Sequence, residues 1–116
     1  MDIVQLQQWC ESLPSVMTDI KWENNLCFTV GGKIFCMIAL DEAFSVSFKA
    51  ADDDFHELLE RDGIIPAPYL ARAKWVSVIR ENALTLREWE QYLFQAYKLV
   101  TAKLSRKVLQ QLGLNR

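Results

Sequence analysis

Between residues 19 and 50, apolar and polar residues alternate with a period of two, and three turn signals interrupt the alternation. These signals are Glu-Asn-Asn at 23–25, Gly-Gly at 31–32 and Asp-Glu-Ala at 41–43. A period of two is typical of strands with one buried face, and short clusters of Gly, Asn and Asp favour turns. The pattern therefore predicts a four-stranded antiparallel meander.

The Gly31-Gly32 pair predicts a two-residue hairpin turn, because glycine adopts the positive φ that such a turn requires. The opposed pairs on this register are Val30 with Lys33, Phe28 with Phe35, Cys27 with Cys36, and Leu26 with Met37. A three-residue loop at 41–43 then pairs Leu40 with Phe44, Ile38 with Val46, and Cys36 with Phe48.

One face of this predicted sheet is almost entirely apolar, and we expect it to lie in the core. Its members are Cys27, Ile34, Cys36, Ile38, Leu40, Phe44, Val46 and Phe48. The opposite face mixes aromatic, polar and basic residues and is expected to be at least partly solvated. It carries Leu26, Phe28, Val30, Lys33, Phe35, Met37, Ser45, Ser47 and Lys49.

Helix signals flank the meander. Asp2 is placed to cap a first helix that ends near Pro14, and three aspartates at 52–54 begin a second one that ends at Gly63. Thr85-Leu-Arg-Glu88 is a capping box for a long amphipathic helix that we expect to reach Gly113. Residues 74–80 alternate as a fifth strand, and the prolines in 65–69 predict a stiff surface strap.

These elements predict an α+β fold, an antiparallel sheet of about five strands with helices packed on one face. A chain of 116 residues is enough for one core, so we expect a single domain over residues 1–116. The longest apolar run has seven residues, whereas about 20 are needed to cross a bilayer. No export signal is visible, and we expect a cytoplasmic monomer that does not associate with membranes.

The three cysteines have no CxxC spacing, which fits a reducing compartment. On the predicted register Cys27 and Cys36 are cross-strand neighbours, so a disulfide between them is conceivable. Such bridges between paired strands are strained, and free buried thiols are the favoured alternative.

Charge is divided unevenly along the chain. The net formal charge is −2, but residues 1–62 carry −8 and residues 63–116 carry +6. Only the second half is suited to face an anion, although two complementary halves that fold onto each other would show the same split.

Most catalytic patterns are missing. The turn at Gly31-Gly32 lacks the P-loop spacing, there is no G-x-S-x-G motif, and His56 is the only histidine. We therefore expect no enzyme and no cofactor. His56 together with the acidic residues of 52–60 could gather a hard cation, but a solvated helix start explains the same residues.

Two features of the mixed face are used by nucleic-acid binders. Lys33 and Lys49 could neutralise phosphates, and Phe28 and Phe35 could stack on bases. Aromatic residues on a sheet also occur simply as further core. A second basic cluster lies at Lys103, Arg106 and Lys107, where a solvated helix face is the alternative.

Six segments together resemble the MmcQ/YjbR family over residues 2 to about 108. They are DIKW at 19–22, VGGKIF at 30–35, SFKA at 47–50, PAPYL at 66–70, KWV at 74–76, and YKLV at 97–100 with Lys103-Leu104. The resemblance implies a frataxin-like (CyaY-like) fold and a DNA-binding role in which two hairpin loops act as wings beside the duplex. The serine that often precedes the helix tyrosine in this family is Ala96 here.

On that resemblance the candidate wing tips are Gly31-Gly32-Lys33 and Asp41-Glu42-Ala43, although the second is acidic. The predicted DNA contacts are Lys21, Gly31, Gly32, Lys33, Phe35, Lys49, Lys74, Lys103, Arg106 and Lys107. A protein-interaction adaptor that uses the mixed face and the strap at 66–69 is the rival interpretation, and a carboxylate metal site is a third.

Overall fold

The computed structural model describes residues 1–41 and 43–114. Its helices are α1 (Ile3–Glu11), α2 (Asp52–Leu59), α3 (Leu86–Thr101) and α4 (Arg106–Gln111). Its strands are β1 (Met17–Lys21), β2 (Asn25–Val30), β3 (Lys33–Ala39), β4 (Val46–Lys49), β5 (Ile64–Pro66) and β6 (Trp75–Val78). They form one antiparallel sheet in the order β1-β2-β3-β4-β6-β5. The predicted α+β class is confirmed, with one more strand than expected.

The additional strand, β5, begins the segment that was predicted to be a strap. It is three residues long, lies at the edge of the sheet and ends at Pro66. Proline is tolerated there because an edge strand needs hydrogen bonds on one side only.

The predicted register between β2 and β3 is wrong beyond the turn. Val30 does lie opposite Lys33, but the ladder shifts between Phe28 and Thr29, so Phe28 pairs with Cys36. Phe35 is the extra residue of this β-bulge. A bulge places two successive side chains of one strand on the same side of the sheet, and here Phe35 and Cys36 are both fully buried.

The bulge reassigns the faces of the hairpin. Phe28, Val30 and Phe35 were expected on the mixed face and instead belong to the core cluster. The Phe35 ring lies edge-on to Tyr97 of α3, with 5.6 Å between ring centroids. The predicted β3–β4 pairs Ile38 with Val46 and Cys36 with Phe48 are confirmed. Leu40, predicted in the core, is exposed beyond the end of the ladder.

Helices α1 and α3 begin as the sequence predicts. Asp2 and Thr85 each cap a helix, and the side chain three residues on, Gln5 or Glu88, completes a capping box. The stripe of α3 then packs on the sheet, and the Trp89 ring contacts the rings of Phe44 and Phe48. All helices that contact the core lie against one face of the sheet, which we call the helix face. The other is the open face.

The C-terminal helix does not run unbroken to Gly113. α3 ends at Thr101, and Ser105 starts α4 by accepting a hydrogen bond from the Val108 amide. Leu104, in the short connection, is buried. A serine hydroxyl in this position satisfies an otherwise free helix amide, which favours a new helix start over continuation of the old one.

All three cysteines are free and buried. Because of the bulge, Cys27 lies opposite Met37 and not opposite Cys36. A hydrogen bond with Cys10 of α1, followed by burial, raises the pKa of the Cys36 thiol. In the part of the chain that is described, no helix combines the length and the apolar character needed to cross a membrane.

Candidate functional site

The turn at Gly31-Gly32 lies at one end of the sheet and touches the C-terminal helices. Both glycines have positive φ, +59° and +81°, as a type I′ turn requires. A Cβ on Gly31 would stand 2.8 Å from the Leu104 methyl carbons and 3.3 Å from Val108. The turn is therefore in close contact with the α3–α4 junction.

Three strand termini meet at this same end. Lys33 is the first residue of β3, Lys49 is the last of β4, and Lys74 directly precedes β6. Because β3, β4 and β6 are successive antiparallel neighbours, these termini lie side by side. The α3–α4 junction adds three more cations through its contact with Gly31. We call this group of six residues the basic end: Lys33, Lys49, Lys74, Lys103, Arg106 and Lys107.

The cations of the basic end lack carboxylate partners. Among residues 1–41 and 43–114, none of the six takes part in an ion pair within 4.0 Å. Lys49 Nζ donates to the Ala73 carbonyl at 2.8 Å, and Lys74 Nζ lies 5.0 Å from the centre of the Phe55 ring. The other four side chains are exposed.

Electrostatic repulsion within the group is visible at one lysine. Burial, and then the positive charge of Lys103, lower the pKa of Lys49, while the Asp52 carboxylate opposes the shift. Asp52 and Asp53 are exposed at the start of α2 and give this side of the basic end an acidic flank.

Lys21 does not join the basic end. It is the last residue of β1, opposite Asn25, and so lies at the other end of the sheet from the turn at Gly31. Its Nζ is 3.7 Å from the Asp19 carboxylate. Phe35 is not available either, because its ring is 0% exposed and cannot stack on a base. Of the predicted DNA contacts, Lys21 and Phe35 therefore do not join the exposed cations of the basic end.

The two predicted wing tips lie at opposite ends of β3. The Gly31-Gly32 turn precedes Lys33, whereas the loop that contains Asp41 follows Ala39. Seven residues of strand separate them, about 20 Å at 3.3 Å per residue. Asp41 accepts a hydrogen bond from Asn24, and Glu42 lies outside the described residues.

A groove on the open face was not recognised in the sequence. Its volume is about 720 Å³, and its floor crosses the sheet through Met37, Ser47 and Ser77. Trp22 and Tyr69 stand at its rim. The sequence signal for its floor is Met37, Ser45 and Ser47, which the alternation already places on the mixed face. The position of Ser77 beside Ser47 follows only from the pairing of β4 with β6.

Arg72 is a further exposed cation, which no sequence pattern indicated as a functional residue. It is exposed in the short 3-10 turn at 71–73, just before Lys74.

Within the described residues there is no group of three or more His, Cys, Asp or Glu side chains placed to hold a metal ion.

Comparison with known proteins identifies the family. The YjbR family model matches residues 11–99. The crystal structure of Deinococcus radiodurans protein DR2400, a DUF419 domain, is similar with a TM-score of 0.84 and 22% identity, over 97% of this chain and 88% of that one. A Pseudomonas syringae protein of known structure is similar with a TM-score of 0.72 and 16% identity, over 85% of this chain and 98% of that one. No curated protein sequence matches significantly.

At 22% and 16% identity, the two solved structures show only that the fold is similar. Membership of the family rests on the family model, which matches most of the sequence. The resemblance drawn from the sequence motifs is thereby confirmed at the level of family and fold. The chain belongs to the YjbR family.

Proposed function

We propose that this protein is a non-enzymatic binding module that holds the phosphate backbone of DNA against its basic end. The observation that carries the proposal is that six cations from four separate chain segments meet at one end of the sheet. No described carboxylate pairs with any of them within 4.0 Å. This arrangement supports a local positive potential on a molecule whose net formal charge is −2.

Free surface cations favour a polyanion because DNA carries condensed counterions that are released when lysines and arginines replace them. Lys49 adds to this effect. Its pKa is lowered by burial and by Lys103, so an approaching phosphate would relieve that repulsion and favour the charged amine.

The shape of the turn also suits a backbone ligand. Gly31 and Gly32 are exposed and carry no side chains, so a phosphodiester can approach the Lys33 ammonium closely. The described residues present no helix shaped for a major groove beside these cations, since α4 has only six residues. Contacts to phosphates position a protein on DNA but do not read its sequence, so we expect little sequence preference.

The acidic flank limits where the ligand runs. Asp52 and Asp53 would repel phosphate beside Lys49 and Lys74, whereas Lys103 lies in the α3–α4 connection and Lys33 follows the turn that contacts it. The contacts that contribute most to affinity should therefore come from the turn and the junction.

The proposal is tested by fluorescence anisotropy with a short labelled duplex of mixed sequence at several salt concentrations. We expect the Lys33→Ala/Lys103→Ala variant to bind more weakly than the unmodified protein. The slope of log K against log salt should become shallower by about 1.8, because two phosphate contacts of roughly 0.9 each are lost.

Lys21→Ala is the matched control. It removes one positive charge, half of that lost in the double variant, from a lysine that is ion-paired at the other end of the sheet, so affinity and salt slope should stay unchanged. A loss of affinity per charge removed that is equal in Lys21→Ala and in the double variant would show that only net charge matters. That result, or binding that no lysine variant alters, would refute a site at the basic end.

A further inference from the structure

We infer that the groove on the open face is a binding site for an uncharged, largely aromatic small molecule that carries a hydrogen-bond acceptor. This site is separate from the basic end and does not depend on DNA binding. Its volume of about 720 Å³ lies in the range of small-molecule sites, which are typically several hundred cubic ångströms.

The lining of the groove selects against charge. Every described residue that lines it is uncharged, and most are apolar, including Met37, Ile65 and Leu70. Lys21 and Lys49 lie on the same sheet but are not part of the lining. A ligand with a net charge would lose hydration on entering and gain no opposite charge, which is unfavourable.

A pair of hydroxyl groups in the floor supplies the polar contact. Ser47 Oγ and Ser77 Oγ lie 2.6 Å apart on neighbouring strands, and Ser77 is almost completely buried. One hydroxyl proton lies between the two oxygens, so the other remains available for donation. A ligand with a carbonyl or ring nitrogen can accept it.

The rim of the groove shows backbone strain. Trp22 and Tyr69 have φ of 52° and 66°, a region that bulky residues rarely occupy. Tyr69 is fully exposed and the Trp22 side chain is two-thirds exposed. Strained, exposed aromatic residues concentrate at binding sites, and here both border one groove.

A peptide fits this groove less well than a small molecule. An extended chain brings an N–H and a C=O with every residue, and these need partners when they are buried. The polar groups of the described lining side chains are those of Asn25, Ser45, Ser47 and Ser77, together with the Tyr69 hydroxyl and the Trp22 indole N–H at the rim. Ser47 and Ser77 already bond to each other.

The test uses three probes that share the indole ring and differ in charge: indole-3-acetamide, indole-3-acetate and tryptamine. Binding is followed by amide chemical shifts of the intact protein. We expect the neutral amide to bind at least about tenfold more tightly than either ion, with shifts confined to groove residues. Met37→Glu should abolish that binding, while Leu86→Glu, at an exposed leucine outside the groove, should leave it unchanged.

A second variant keeps the groove testable if Met37→Glu fails to fold. Ser47→Ala/Ser77→Ala removes both hydroxyls together and leaves no unpaired group, so the fold should persist while the amide binds severalfold more weakly. Equal affinity for the three probes would overturn the inference. Unchanged binding in both groove variants would do so too, as would tighter binding of the blocked peptide N-acetyl-Gly-Trp-Gly-amide.

Discussion

Arg61 and Glu88 show how two charged residues can join separate helices. Arg61 follows α2, and its guanidinium donates to both carboxylate oxygens of Glu88 in the first turn of α3, with Nη1 2.9 Å from Oε1. Glu88 also accepts from the Thr85 amide as part of the capping box. The hydrogen bonds from Arg61, followed by the one from Thr85, lower the pKa of Glu88 to about 2.

Glu88→Gln should therefore destabilise the protein in a pH-dependent manner. The folded pKa lies below the ordinary value of 4.5, so the stabilisation is fully present above pH 4.5 and is lost as pH falls toward 2. At neutral pH we expect a loss of about 1–2 kcal/mol in the free energy of unfolding. This loss is smaller than a fully buried ion pair would give, because the Arg61 side chain is more than a third exposed and solvent screens the interaction. Urea unfolding across pH 2–7 measures it.

Glu90→Gln serves as the control on the same helix. The Glu90 side chain is exposed and takes part in none of the ion pairs of the described residues, so its replacement should change stability little. A Glu88→Gln penalty of the same size at pH 2 and pH 7 would contradict the electrostatic explanation and indicate a packing effect.

The β2–β3 hairpin depends on two local devices, a glycine turn at its tip and a bulge within its ladder. The turn brings the hairpin against the α3–α4 junction. The bulge directs Phe35 toward Tyr97 of α3 and Cys36 toward Cys10 of α1. One extra residue in β3 thus places two successive side chains in the core, which a regular strand cannot do.

Comparing Gly31→Ala with Gly32→Ala distinguishes two roles of the turn, its need for positive φ and its contact with the α3–α4 junction. Both residues have positive φ, so each alanine should cost about 1 kcal/mol. A Cβ at Gly31 also meets Leu104 and Val108, whereas a Cβ at Gly32 meets nothing within 4 Å. We expect a further loss of about 1 kcal/mol or more for Gly31→Ala, measured by urea unfolding.

The amide chemical shifts of α4 give an independent readout. They should move in Gly31→Ala and stay in place in Gly32→Ala, since only the first residue touches Val108. Equal destabilisation by both substitutions, with α4 unperturbed, would contradict the contact between the turn and the α3–α4 junction.

Across the molecule, the core and the charges are organised differently. The core is continuous: residues of the sheet and of α1, α2 and α3 belong to one cluster around Trp89, which is fully buried. The charges are segregated, with the basic end at the Gly31 turn and the ion-paired Lys21 at the opposite end. A protein of this kind can present a cationic surface although its net formal charge is −2.

A shared core predicts that the chain unfolds as one cooperative unit, as expected of a single domain. In urea, tryptophan fluorescence should give the same midpoint as far-ultraviolet circular dichroism, which senses the helices. The fluorescence comes from four tryptophans, of which Trp75 and Trp89 are buried in the fold. Two separated transitions would contradict the single-domain prediction.

Spacing within a few residues was enough to predict five of the six strands, the glycine turn, the Asp2 cap, the Thr85 capping box and the uneven charge, because alternation, caps and turn chemistry act between near neighbours. The bulge at Phe35, the break before Ser105 and the groove beneath Tyr69 emerge only when distant segments meet. A shift of one residue in the register leaves the spacing of near neighbours unchanged, and here it lets Phe28, Phe35 and Cys36 all lie in the core against the helices. For the same reason Lys33, Lys49 and Lys103, dispersed along the chain, become neighbours only when β3, β4 and the α3–α4 junction pack together.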